Sequence, residues 1–252
     1  MKIQLIRNAT MKMTYKGRVI LTDPMLSPKG TIRPFAGIAR NPTVELPLPL
    51  EEILKGVETV IISHSHPDHF DEFAEEALPK TIPVFCQPGD EKKMAAKGFR
   101  SVIPIEPSHT WEGITITRTE GKHGKGKILE RMGIVSGFVF QADEEPTVYW
   151  VGDSVWCNTV EKNIQGFKPD IIITHSGGAT IPGFEPIIMD VEQTLKVLNA
   201  SSGDAVVVAI HMEALDHCGI SREELRQMAD SKSITPSRLM IPNDGETISF
   251  RY

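Results

Sequence analysis

Cysteine is scarce in this chain, and what there is of it is scattered. Cys86, Cys157 and Cys218 are odd in number, widely spaced and without a C-x-x-C pair, which weighs against a redox role. They are expected to be small buried hydrophobes in a protein of the reducing cytoplasm. Long apolar runs are missing as well. No stretch approaches the roughly 20 residues of a membrane span. The apolar opening, Met1 to Ile6, is interrupted by Arg7 and Asn8, too early for a signal peptide. A surplus of basic charge is also lacking: the net charge of −6 argues against nucleic acid as the main partner. Repeats, low-complexity tracts and clear linkers are absent too. What remains is the composition of an ordinary globular protein, 40% hydrophobic and 24% charged. One domain over residues 1–252 is expected, alone or as a homo-oligomer.

Three short strands open the chain, Lys2 to Arg7, Thr10 to Tyr15 and Arg18 to Thr22, with Lys16-Gly17 turning the last two. Asp23-Pro24 ends this meander. Residues 25–50 are studded with Pro28, Pro34, Pro42, Pro47 and Pro49 and read as a long loop folded over a functional site. Strands are expected at Glu58 to Ser63, Ile82 to Cys86, Ser101 to Ile105, Ile114 to Thr117 and Ile134 to Gln141. More follow at Thr147 to Val151, Asp170 to Thr174, Ala205 to Ile210, Leu239 to Ile241 and Thr247 to Arg251. Helices are expected at Glu51 to Lys55, Asp71 to Leu78, Asp90 to Lys97, Val191 to Asn199 and Arg222 to Asp230, the last with the capping box Ser221 and Glu224. A meander followed by alternating strands and helices indicates an α/β (α+β) fold of stacked sheets covered by helices.

Histidine is concentrated where the other elements are not. The run His64-Ser65-His66-Pro67-Asp68-His69 holds four potential metal ligands in six residues, directly after the apolar strand Val60-Ile61-Ile62. His64 and His66 stand two apart on extended backbone, so both imidazoles leave the same face and can share one ion. Pro67 blocks a helix, and the turn after it can aim Asp68 and His69 at a second position. Imidazoles with a carboxylate suit zinc, iron or manganese rather than calcium. Further donors stand just beyond strands: His123 after Ile114 to Thr117, Asp153 after Val148 to Val151, and His211 after Val206 to Ile210. A side chain there has a fixed backbone and an open face, as a metal site requires. Each residue taken alone is equally a turn cap or a core hydrogen-bond partner.

The order H-x-H-x-D-H, then His123, Asp153 and His211, resembles the metallo-β-lactamase-fold hydrolase superfamily over nearly the whole chain. The resemblance implies a four-layer αββα sandwich with the site at one edge of two facing sheets. It implies two divalent ions, zinc or manganese, with His64, His66 and His123 on one, Asp68, His69 and His211 on the other, and Asp153 bridging. Asp23 would support the metal loop. Segments 21–28 and 62–71 look most like the branch that includes L-ascorbate-6-phosphate lactonase and N-acylphosphatidylethanolamine phospholipase D. Arg7-Asn8-Ala9-Thr10 stands where many branch members carry a Gly-His pair.

The implied function is that of a metal-dependent hydrolase. Metal-bound hydroxide would attack a small ester, lactone or phosphodiester, with Asp68 orienting the nucleophile and shuttling its proton. His217 is a general acid, a substrate contact or a loop histidine bonded by Asp216. His175, before Ser176-Gly177-Gly178, belongs to an anion-binding turn or a plain tight turn. Lys122, Lys125 and Lys127 flank His123 and could attract an anionic substrate. His109 reads as a solvated turn residue. Iron-dependent oxygen or persulfide chemistry on the same fold, or a non-catalytic metal-binding role, are the alternatives.

Overall fold

Alternation along the strands decides the architecture. In the computed structural model, which describes residues 1–250, the chain forms two seven-stranded sheets. The first holds β1 (Lys2–Arg7), β2 (Thr10–Tyr15), β3 (Arg18–Thr22), β4 (Thr59–Ile62), β5 (Pro83–Cys86) and β6 (Ser101–Pro104). The second holds β7 (Ser108–Trp111), β8 (Ile114–Glu120), β9 (Ser136–Gln141), β10 (Val148–Trp150), β11 (Ile171–His175), β12 (Val206–Ile210) and β13 (Leu239–Met240). The closing strand β14 (Thr247–Ser249) returns to pair with β1; Arg251, expected in that strand, lies outside the described residues.

In β4, Val60 and Ile62 pack under helices while Ile61 faces the opposite sheet. The same two-residue period splits β11: Ile171 and Ile173 point between the sheets, and Ile172 points to the outer helices. A strand apolar on both faces is what a covered sheet needs, and it explains the unbroken Val/Ile runs. Three apolar interfaces result. Phe138, Trp150, Ile61 and Phe85 fill the space between the sheets. Outside the first sheet lie α1 (Leu50–Leu54), α2 (Glu72–Ala77) and α3 (Glu91–Ala96), anchored by Ile53, Ala74 and Met94. After α4 (Ile128–Met132), the helices α5 (Asn158–Phe167), α6 (Val191–Ala200) and α7 (Arg222–Ser231) cover the second sheet through Ile164, Leu195 and Leu225. The fold is the αββα sandwich.

Three elements go beyond the sequence expectations. α4 and α5 escaped because a Lys/Gly-rich start and a polar composition mute their apolar stripe. β7 is an edge strand whose His109 is half-buried against Phe85, ring centroids 5.1 Å apart, rather than a solvated turn residue. The predicted cap of α7 forms, with Ser221 Oγ accepting the Glu224 N–H at 3.1 Å. β3 to β6 are parallel, as are β10 to β13. Ligand sites in such sheets lie beyond the carboxyl ends of the strands, and the histidines gather there.

Candidate metal centre

Six strands each deliver one part of the site just past their last residue: Asp23 after β3, the 64–69 loop after β4, His123 after β8, Asp153 after β10, His175 at the end of β11 and His211 after β12. The 64–69 loop is closed by the amides of His69 and Phe70, both donating to the His66 carbonyl at 3.0 Å. Asn8, Asp23 and His211 have φ of 59°, 39° and 58°, a left-handed backbone that non-glycine residues adopt only where the surroundings enforce it. Gly152, at φ 70°, precedes Asp153 so closely to the Ser136 carbonyl that a Cβ there would overlap it.

Two groups of donors face each other. In the first, His64, His66 and His123 converge, with His64 Nε2 and His66 Nδ1 2.9 Å apart. In the second, His69 Nε2 and His211 Nε2 are 3.3 Å apart, and Asp68 Oδ2 lies 3.6 and 3.5 Å from them. Asp153 stands between. Its Oδ2 is 3.1 Å from His69 Nε2, 3.4 Å from His123 Nε2 and 3.8 Å from His64 Nε2, while Oδ1 is 3.7 Å from His211 Nε2. Separations of 2.9–3.8 Å suit the edges of a coordination shell with bonds of about 2.0–2.2 Å. The donor set, nitrogen-rich with two carboxylates, fits zinc or manganese-type cations.

The far nitrogens of these rings are held by the protein. Asp23 Oδ2 accepts from His69 Nδ1 at 2.6 Å and from Ser63 Oγ at 2.6 Å, and Oδ1 accepts the Ser63 N–H. His123 Nδ1 donates to the Ile187 carbonyl at 2.9 Å, and His211 Nδ1 meets Cys218 Sγ at 3.5 Å. Asn8 ties the two loops together: its Nδ2 donates to the Asp68 carbonyl at 2.9 Å and its own carbonyl accepts the His211 N–H at 3.0 Å. Arg7, fully buried, donates to the carbonyls of Val44, Met25 and Ser27, so the Arg-Asn pair anchors loops and does not line the substrate pocket.

His175 has a role that its sequence context left open. The Trp150 indole N–H can only donate, and it donates to His175 Nε2 at 3.0 Å. The proton of His175 therefore sits on Nδ1, which donates to Asp153 Oδ1 at 2.5 Å. Both nitrogens are occupied, so His175 orients Asp153 although its ring lies among the second group. A histidine at a strand end was the only sequence signal; its partner is 22 residues away.

Charge is divided unevenly. Burial holds His64 well below the ordinary histidine range and His123 down to about 4, so both rest as neutral imidazoles, the form a cation can bind. Burial opposes charge at His69 and His211 as well. There the carboxylates win: Asp153, Asp23 and Asp68 raise His69 well above 6.5, and Asp153 with Cys218 raises His211 to about 10. Asp68 and Asp153 are held ionised despite burial, chiefly by His69 and His211.

The first group opens into a pocket of about 450 Å³ whose floor includes His66, Asp68 and His123. The proline-rich loop forms one wall through Ile32 to Phe35, as expected of it. Asp216 latches that loop: its carboxylate accepts the N–H groups of Phe35, Ala36 and Ile38 at 2.9–3.1 Å and Asn41 Nδ2 at 2.9 Å. His217 is not bonded by Asp216. Its ring packs against Phe35, lines the pocket, and leaves Nδ1 without a partner. Lys122, Lys125 and Lys127 are exposed and outside the pocket wall.

A family model described as "Beta-lactamase superfamily domain" matches residues 18–212. The chain belongs to the β-lactamase superfamily. It is 38% identical to the UPF0173 protein YddR of Bacillus subtilis, over 99% of this chain and all of that one. Among solved structures, a possible metal-dependent hydrolase from Veillonella parvula superposes with a TM-score of 0.95 at 36% identity, covering 99% of both chains. An isothiocyanate hydrolase from Delia radicum gut bacteria gives 0.94 at 37% identity with the same coverage. Within the superfamily the chain is a metal-dependent hydrolase, and no helix of its described residues is long and apolar enough to cross a membrane.

Proposed function

We propose that residues 1–252 form one catalytic domain that hydrolyses a small electrophile at a two-metal centre. The observation that carries this reading is Asp153 Oδ2, within 3.1–3.8 Å of a nitrogen from His69, His123 and His64, a carboxylate shared by both donor groups. His64, His66 and His123 would hold one ion, Asp68, His69 and His211 the other, and Asp153 both. Zinc or manganese bound there supplies Lewis acidity and lowers the pKa of water at the centre. The chain's own groups do the rest. Asp68, fixed through its carbonyl by Asn8, orients the attacking water and takes its proton. His217, neutral because burial keeps its pKa below the ordinary value, lines the pocket and would take up the proton from Asp68 before passing it to the leaving atom. Phe35, Ile181 and Ile187 keep bulk water from the substrate body.

The substrate to test first is a small organic isothiocyanate, since the similarity to the isothiocyanate hydrolase extends over 99% of both chains at 37% identity. Water adds to the N=C=S carbon to give a thiocarbamic acid, which loses carbonyl sulfide and leaves the amine. Small esters, lactones and phosphodiesters are the second class, favoured by the donor set, which suits attack on carbonyl carbon or phosphorus. The experiment is metal analysis of natively purified protein with assays on benzyl isothiocyanate, a γ-lactone and a generic phosphodiester. Near two zinc or manganese per chain, metal-dependent turnover, and loss of turnover in a folded Asp68→Ala variant are expected. One iron per chain without hydrolysis of any substrate would replace this reading with oxygen chemistry.

A further inference from the structure

The pocket above the centre has a charged mouth. Arg33, on the latched loop, and Arg131, on α4, both line it. Most arginines of this protein are tied down: Arg18 to Glu58 and Glu112, Arg40 to the carbonyls of Gly30 and Thr31, Arg222 to Glu213 and Asp244. Arg33 and Arg131 are not. Among the described residues, neither guanidinium has a hydrogen bond or ion-pair partner, and both are exposed. The single carboxylate on the pocket wall is Asp68, which is turned to His69 and His211. Two uncompensated guanidinium groups on separate elements thus border one cavity, in a chain whose net charge is −6. The same cavity is lined by the apolar Phe35, Met132, Ile181 and Ile187.

We infer that the substrate carries a carboxylate at the end remote from its reactive carbon, and that Arg33 and Arg131 are the residues that select it. This rests on the proposed hydrolase reading, which supplies the floor chemistry. The order along the pocket is electrophile at the centre, apolar body against Phe35 and Ile187, carboxylate at the arginines. Guanidinium groups match a carboxylate with paired N–H donors, which a neutral tail cannot use. Arg33 is preorganised for this because its loop is pinned twice, by Asp216 and by the Ile32–Asn41 bridge. Little ordering is then needed on binding. The exposed lysines beside His123 have no part in it.

The test compares matched substrates on the metal-loaded protein: benzyl isothiocyanate against its para-carboxylate, and phenyl acetate against 4-acetoxybenzoate. The kcat/KM ratio of carboxylate to neutral partner is expected to exceed one. It should fall about tenfold in Arg33→Gln and in Arg131→Gln, mostly through the KM of the carboxylate substrate. A ratio indifferent to both substitutions overturns the inference. Calorimetric titration with 4-carboxybenzylamine against benzylamine reads the same site without turnover. Equal affinity of the two ligands, or carboxylate binding that survives both substitutions, also overturns it. If no substrate turns over yet the carboxylate ligand binds through the arginines, the hydrolase reading fails and the arginine site stands.

Discussion

The two halves of the centre are built from the same residue types and behave oppositely. In the first group His64 and His123 are neutral, and half-buried His66 opens the group to the pocket. His69, His211 and Asp153 form a charged group sealed from solvent, joined by Asp68 from the pocket floor, and in it raised histidine pKa values face depressed carboxylates. The difference comes from where the carboxylates lie, not from the histidines. In the proposed centre the labour would divide accordingly: His66 and Asp68 meet substrate at the pocket floor, and His69, His211 and Asp153 behind them hold the loops in register.

Breaking the link between the halves should have the largest effect. Asp153→Asn keeps the shape but removes the shared charge, so metal content should drop below one per chain and turnover by about a thousandfold or more. Two retained ions with near-normal turnover would show that the halves do not depend on a common carboxylate. Acidification should separate the halves instead. A cation at the sealed side displaces protons from His69 and His211, whose pKa values are raised, so its affinity falls as pH falls, by up to about a hundredfold per unit. His64 and His123 are already neutral, so the open side should lose its ion less steeply as pH falls. Metal stoichiometry measured from pH 8 to pH 5 should therefore step from two to one; simultaneous loss of both ions would erase the contrast.

Smaller changes sharpen it. His175→Phe removes the Nδ1–H donor to Asp153 and should weaken metal binding about 10–100-fold, and Trp150→Phe, which frees only the tautomer, by a few-fold. Equal effects of the two substitutions would assign His175 to packing rather than orientation. The smallest effect belongs to Cys218→Ser, which substitutes one weak partner of His211 Nδ1 for another and should shift affinity at the sealed side by about two- to threefold at most. A competition assay with a chromogenic chelator resolves each of these.

Much of this was readable in the chain because its signals are local. The unbroken Val/Ile runs of β4, β11 and β12 mark strands covered on both faces, and the 64–69 run is contiguous. His123, Asp153 and His211 could be chosen because each follows a strand by a few residues. What escaped depends on partners far away. Asp216 seemed a neighbour for His217, but its carboxylate reaches across 181 residues to the Phe35 amide. Arg7 and Asn8, which stand where many branch members carry a Gly-His pair, are made anchors by burial and by the carbonyls around them. Arg33 and Arg131 carry no motif at all; only the shared cavity brings them together.

The donors come from both sheets. His64, His66, Asp68 and His69 hang from the first, and His123, Asp153 and His211 from the second. In the proposed centre each ion would cross-link two layers that otherwise meet through an apolar interface and a few hydrogen bonds, such as Tyr15 Oη to the Pro146 carbonyl at 2.8 Å. A chain cut in the connection between β6 and β7 would leave each fragment with an incomplete set of ligands. Reassembly of the sandwich and recovery of the centre would then be one event, with metal as the glue and its chelation as the release.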